Sequence, residues 1–254
     1  MQPLSSRQQS ILNRVVTSYI ETAQPVGSRF LTELYTEIYR DSYSSATVRH
    51  ELGILEERGY LMHPHTSAGR VPTDLGYRYY LDHGLCLQVL PLELIGRMTR
   101  DLMSARQETN PFVEKASQIL SEMTEEVGMM LLPEKEQPRF ALQGSTHILE
   151  KPEFRDLEKI RLILKTFEDK TQLVDWLEKR AAHGHSVTIT IGRENEPPAF
   201  YDCAVVSTRY SAGSLGRGML AVIGPRRMPY AKIVPLVQHM GRIIERILDL
   251  MGVE

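Results

Sequence analysis

His63-Pro64-His65-Thr66-Ser67-Ala68-Gly69-Arg70-Val71-Pro72-Thr73-Asp74 is the stretch that decides the fold of the first third of this chain. Its middle is small, polar and glycine-bearing, and short apolar pieces bracket it, Tyr60-Leu61-Met62 before and Val71 after. That composition predicts two short strands joined by an exposed tip. Directly upstream, Ser44 to Arg58 reads as a helix. Ser44 is a favoured N-cap type, Val48, Leu52 and Leu55 recur on one face, and Gly59 stands where a C-terminal cap belongs. A helix followed by a basic-tipped ribbon is the winged form of the helix-turn-helix, and it points to a DNA-binding domain.

The neighbouring segments complete such a domain. A first helix is expected from Ser5 to Thr22, opened by a capping box of Ser5 with Gln8 or Ser6 with Gln9, its core stripe being Ile11, Leu12, Val15, Val16, Tyr19 and Ile20. Pro25 ends the pattern, and a short helix over about Gly27 to Tyr35 is expected to bury Phe30, Leu31 and Leu34. A polar connection, Arg40-Asp41-Ser42-Tyr43, leads to Ser44. In the third helix the apolar stripe leaves Ser44, Ser45, Thr47, Arg49 and His50 at the outward N-terminal end, hydroxyls and donors suited to phosphate oxygens and base edges. His65, Thr66, Ser67 and Arg70 are the candidates on the ribbon. Taken alone the helix is better read as a solvated start in a small bundle; the attached ribbon turns the balance to DNA. Thr73-Asp74 caps a fourth helix through Asp82 whose tyrosines read as core.

From Pro91 to about Pro133 the pattern predicts two helices joined by Glu108-Thr109-Asn110, the second started by Asn110-Pro111. Their stripes are Leu94, Met98 and Leu102, then Val113, Ala116, Ile119, Leu120, Met123 and Val127. Such a pair joins domains, packs on a twin subunit or closes a core, and the spacing does not choose. A Pro-flanked loop follows at 133–138. Beyond it come a two-piece helix over Leu157–Lys179, strands at 186–191, 203–210 and 219–223, a glycine-rich connection at 211–218, and a last helix over Tyr230–Met251 with Pro235 in its opening turns. The expected class is α+β. The expected organisation is a winged-helix domain at 1–83, a helical linker or dimerisation pair at 84–132 and an α/β domain at 133–254.

Composition narrows the function. Hydrophobic content of 42% and charged content of 24% are those of a globular protein. The two cysteines, Cys86 and Cys203, are far apart and suggest neither zinc nor a disulfide framework. No apolar run reaches the length of a membrane span and the N-terminus lacks a signal-like stretch, so no membrane association and a cytoplasmic location are expected. Residues 1–83 hold eight arginines, no lysine and nine acids, a formal charge of −1 that runs against DNA binding unless the acids sit away from the interface. Gly213, Gly216 and Gly218 lack a following Gly-Lys-Ser/Thr and read as hairpin glycines. His50-Glu51 has no second histidine four residues on, and the pairs His63/His65 and His183/His185 lack nearby acid or thiol ligands. No catalytic residue, metal or cofactor is expected, and the chain is not read as an enzyme.

Specific runs carry a family resemblance. They include Arg7-Gln8-x-x-Ile11-Leu12, Pro25-Val26-Gly27-Ser28-Arg29, Ser44-Ser45-Ala46-Thr47-Val48-Arg49, Leu55-Glu56-Glu57-Arg58-Gly59-Tyr60-Leu61 and the run from Pro64 to Arg78. Near the other end stand Lys151-Pro152-Glu153-Phe154, Ile191-Gly192-x-Glu194-Asn195 and Val222-Ile223-Gly224-Pro225-x-Arg227-Met228-x-Tyr230-Ala231. With these, the chain resembles the HrcA family of heat-inducible transcription repressors. The resemblance implies a cytoplasmic homodimer that binds an inverted repeat in double-stranded DNA upstream of chaperone operons, with the chaperonin as modulator. It also implies a winged helix followed by a GAF-like domain, with DNA contacts on Ser44 to His50 and on His65 to Arg70. Family members are longer, carrying further strands and an inserted dimerisation segment between the positions of Met130 and Phe140. This chain is therefore expected to be a short variant with a reduced GAF-like α/β domain. His50-Glu51 also replaces the Asn-Asp expected after the arginine. The alternatives are a winged-helix regulator with altered targets or with an effector sensed by the C-terminal domain, and an interaction module that no longer binds DNA.

Overall fold

Ser5 opens the first helix, α1 (Ser6–Thr22): its hydroxyl accepts from the Gln8 amide at 3.3 Å while the Gln8 side chain accepts from the Ser5 amide at 3.0 Å. Of the two boxes the sequence offers, this is the one formed. In the computed structural model, residues 3–39, 43–64, 69–134, 138–180 and 186–251 are described, and the chain divides into two units, Met1–Cys86 and Leu87–Glu254.

In the first unit α1 buries Ile11, Leu12, Val15 and Val16, with Tyr19 and Ile20 half-buried. α2 (Ser28–Tyr39) runs further than its pattern predicts. It buries Leu31 and Tyr35, one turn apart, while Phe30 is 46% exposed and Leu34 half-buried, so the expected stripe of Phe30, Leu31 and Leu34 is corrected to one centred on Leu31 and Tyr35. α3 (Ser45–Glu57) is capped by Ser44, whose hydroxyl accepts from the Thr47 amide at 3.1 Å. Val48, Leu52 and Leu55 are buried, and Gly59 at φ +78° takes the left-handed turn out of the helix. β1 (Leu61–Met62) and β2 (Val71–Pro72) then pair antiparallel, Leu61 opposite Pro72 and Met62 opposite Val71. α4 (Asp74–His83) follows, capped by Thr73 and burying Tyr77 and Tyr80.

The second unit is built on five antiparallel strands, β3 (Val127–Leu132), β4 (Arg139–Gln143), β5 (Thr188–Ile191), β6 (Cys203–Ser211) and β7 (Arg217–Pro225), in the order β4-β3-β7-β6-β5. α6 (Thr109–Thr124) and α10 (Tyr230–Leu250) pack on one face, with α5 (Leu92–Ala105) against both. On the other face lie α7 (His147–Glu150), α8 (Leu157–Glu168) and α9 (Lys170–Arg180). There Met129, Phe154, Phe167, Trp176, Phe200 and Met219 belong to one continuous buried cluster.

The structure differs from the sequence expectations at three points here. Val127 is the first residue of a strand buried on both faces, not the last of a helical stripe. α6 begins at Thr109 with Glu108 in the cap position, so Asn110 lies within the first turn, where its side-chain oxygen accepts from the Arg139 guanidinium. The segment at 84–132 is no free-standing linker: α5, α6 and β3 belong to the second unit, and α6 lies against β3 and β4. β3 and β4 form a hairpin paired from Gly128 opposite Gln143 to Leu132 opposite Arg139, across the connection at 133–138.

Candidate nucleic-acid interface

α3 presents Ser45, Ala46, Arg49 and His50 to solvent, with Thr47 half-buried. Ser45 and Arg49 lie one turn apart and so share a face. Arg49 has no polar partner among the described residues, so a fixed positive charge stands free at the start of this helix. Ser44 and Thr47 have a local task as well: their hydroxyls lie 2.9 Å apart and Ser44 caps the helix. Gly53, on the same outward side, has nothing within 4 Å of where a Cβ would sit.

Two of the three acids of α3 are compensated within the domain, and the third, Glu57, is exposed at the far end of the helix. Glu51 is turned inward, 8% exposed, and its two oxygens accept from Gln8 at 3.1 Å and Arg7 at 3.5 Å. Glu56 meets Arg70 Nη2 at 3.0 Å through Oε2 and His63 Nδ1 at 2.5 Å through Oε1. Elsewhere in the unit Arg29 pairs with Glu33 and Arg78 with Asp82. The formal −1 of this region therefore misstates the field at the end of α3, because Glu51 and Glu56 are matched within the domain.

The ribbon is held at its base by more than its own pairing. Val26 and Arg70 exchange both backbone hydrogen bonds at 2.8 Å, a third strand position beside β2. Gly69 makes that approach possible, since a Cβ there would lie 2.4 Å from the Val26 carbonyl carbon. Arg70, expected to reach DNA, is drawn towards the domain instead: its side chain is 19% exposed and its Nε is sealed from solvent. His65, Thr66 and Ser67 lie outside the described residues, as do His183, His185 and the connection at 40–42.

Among the described residues no three His, Cys, Asp or Glu side chains cluster as metal ligands, and no helix is long and apolar enough to cross a membrane. Burial pushes the Cys203 thiol far above its ordinary range, which removes it as a nucleophile. Gly213 and Gly216 lie in the turn joining β6 to β7, with no helix opening after it. The C-terminal motifs have structural work. Asn195, fully buried, donates to the carbonyls of Phe200 and Cys203 at 3.0 and 3.1 Å and accepts from Thr190 at 2.7 Å. Glu194 caps the Ile191 amide, and Glu153 takes both nitrogens of the Arg227 fork.

A family model described as HrcA protein C terminal domain matches residues 100–234, more than half of the chain and most of the second unit. The chain belongs to the HrcA family. The heat-inducible transcription repressor HrcA of Brevibacillus brevis is 28% identical, covering 96% of this chain and 98% of that protein. That of Geobacter sulfurreducens is 26% identical over 98% and 99%. The Brevibacillus alignment runs over 343 positions against 254 residues here, so at least 89 positions (343 − 254) have no counterpart in this HrcA-family chain. A crystal structure of a hypothetical protein at 2.2 Å resolution shares the fold, with a TM-score of 0.67 at 21% identity, covering 97% of this chain and 96% of that one.

Sequence reasoning found the cap, the outward face of α3 and the ribbon. It missed Glu56, His63 and Val26 as the residues that fix the ribbon's base. Their partners are brought together only by the folded loop, and the sole trace in sequence is that His63 and Arg70 flank the tip symmetrically.

Proposed function

We propose that this chain is a dimeric transcriptional repressor that binds an inverted repeat upstream of chaperone genes and whose active form is promoted by the chaperonin. The observation that carries the DNA-binding part is the solvent-facing start of α3, where Arg49 stands unpaired among the described residues while both nearby acids are matched internally. Ser44, Ser45, Thr47, Arg49 and His50 are the proposed contacts from the helix, and His65, Thr66 and Ser67 those from the wing. The relatives' name, heat-inducible transcription repressor, supports repression of heat-responsive genes. An inverted repeat requires a two-fold protein, because half-site spacing mirrors subunit symmetry.

The test is a gel shift of the full chain on duplex from upstream of its own chaperone operon, across a salt series, with and without chaperonin. Binding that weakens steeply with salt, is lost in Arg49→Ala and tightens with chaperonin is the expected result. Salt-independent retention, or equal binding by Arg49→Ala, would place the interface elsewhere.

A further inference from the structure

We propose that Glu56 is the positioning residue of this interface: one carboxylate on the recognition helix clamps both arms of the wing, so that DNA binding requires the negative charge. The proposal rests on the DNA-binding reading above. Simple electrostatics predicts the reverse, since an acid beside a polyanion should repel it and a neutral replacement should bind better.

The geometry argues against that simple view. His63 stands just before the tip and Arg70 just after it, and each meets a different oxygen of Glu56, at 2.5 and 3.0 Å. The two arms of the ribbon are therefore tied through one side chain in the last turn of α3. Among the described residues the ribbon has two residue pairs of its own, and a hairpin that short does not hold its shape unaided. Arg70 cannot do without the contact. Its guanidinium is four-fifths covered, its Nε has no hydrogen-bond partner, and Glu56 is the one acid within ion-pair distance among the described residues. A mostly buried guanidinium stripped of its counter-charge is costly and must move out, taking the β2 arm with it. The backbone of Arg70 is stitched to Val26 at 2.8 Å, so that movement also opens the join between the wing and the start of α2.

Four variants of the full chain, Glu56→Gln, Glu56→Asp, Arg70→Lys and Arg70→Ala, are compared on the duplex that wild type retains and on an unrelated duplex. Two amides report the wing without DNA: Arg70, donating to the Val26 carbonyl at 2.8 Å, and Thr73, donating to the Tyr60 carbonyl at 3.1 Å. Glu56→Gln is expected to lose specific affinity tenfold or more, to leave the salt slope unchanged and to speed hydrogen exchange at both amides. Glu56→Asp recovers part of the affinity. Arg70→Lys, which keeps the charge but not the planar guanidinium whose Nη2 meets Glu56 at 3.0 Å, falls between wild type and Arg70→Ala. Equal or tighter binding by Glu56→Gln overturns the proposal. So does full affinity in Arg70→Lys with a reduced salt slope in Arg70→Ala, which marks a phosphate contact. Should wild type bind no duplex, the functional reading fails on its own, and unchanged exchange in Glu56→Gln then overturns the clamp separately.

Discussion

Gly53 sits in the third turn of α3 on its outward side, and a methyl group there would touch nothing within 4 Å. A glycine inside a helix costs about 0.5–1 kcal/mol relative to alanine, and packing gives no reason for it here. Close approach of a duplex to the helix backbone would. Gly53→Ala is thus expected to raise the stability of the first unit by roughly that amount in urea unfolding while weakening DNA binding in fluorescence anisotropy. A gain in both would remove Gly53 from the interface. Arg49→Ala should lower affinity by the roughly 1–3 kcal/mol of a base contact, or reduce the salt slope by about one if the guanidinium reads phosphate. At this scale the sequence was readable where a residue acts locally: Ser44 capping α3 and Ser5 with Gln8 capping α1 needed only spacing. It was not readable for Glu56 or Asn195, whose partners are set by the path of a loop rather than by a period.

Among the elements, the wing depends on Gly69, where β2 enters against the backbone of Val26. A Cβ there would lie 2.4 Å from the Val26 carbonyl carbon and 2.5 Å from its oxygen, both main-chain atoms that cannot swing aside. Gly69→Ala should therefore detach the ribbon base and abolish specific DNA binding, with the helical circular dichroism of α1 to α4 little changed. Retained operator binding would show that the join to Val26 is dispensable. The wing was legible because glycine, proline and small polar residues interrupt an apolar pattern. β3 was not. Val127-Gly128-Met129-Met130-Leu131-Leu132 is buried on both faces, so it lacks the alternation that marks a half-buried strand and extends the helical stripe of α6 without a visible break. The break is Glu125 in the left-handed region, φ +55°, a conformation signalled by glycine in most chains and by nothing here. Phe30 was misplaced for a related reason: Tyr35 pairs with Leu31 as the inward residue, and the phenol of Tyr35 meets Ser10 at 2.7 Å.

For the molecule as a whole, the second unit is expected to carry a pH dependence of stability centred on one buried acid. Glu126, 2% exposed, joins α6 to β3 and meets Lys151 at 3.0 Å through one oxygen, while the other has no hydrogen-bond partner. Burial raises its carboxyl from the ordinary 4.5 to about 7, Lys151 opposing the shift. An acid raised on folding binds its proton more tightly in the folded state. Its stabilisation is complete below 4.5 and is lost as pH rises through about 7, a difference of about 3 kcal/mol at most. The urea midpoint of this unit should accordingly fall between pH 5 and pH 8, and Glu126→Gln should flatten that fall. An unchanged slope in the variant would assign the dependence to other groups. The α+β class followed from periodicity and turn residues, whereas the sheet order β4-β3-β7-β6-β5 did not, since pairing between distant strands leaves no local trace.

One consequence follows from the hairpin of β3 and β4. Leu132 and Arg139 are cross-strand neighbours, so the chain leaves the sheet and re-enters it at nearly the same place. A cassette whose own ends lie close together can be spliced in or out there without disturbing a single ladder position. Added chain at that point would ask for no compensating substitution in the strands on either side.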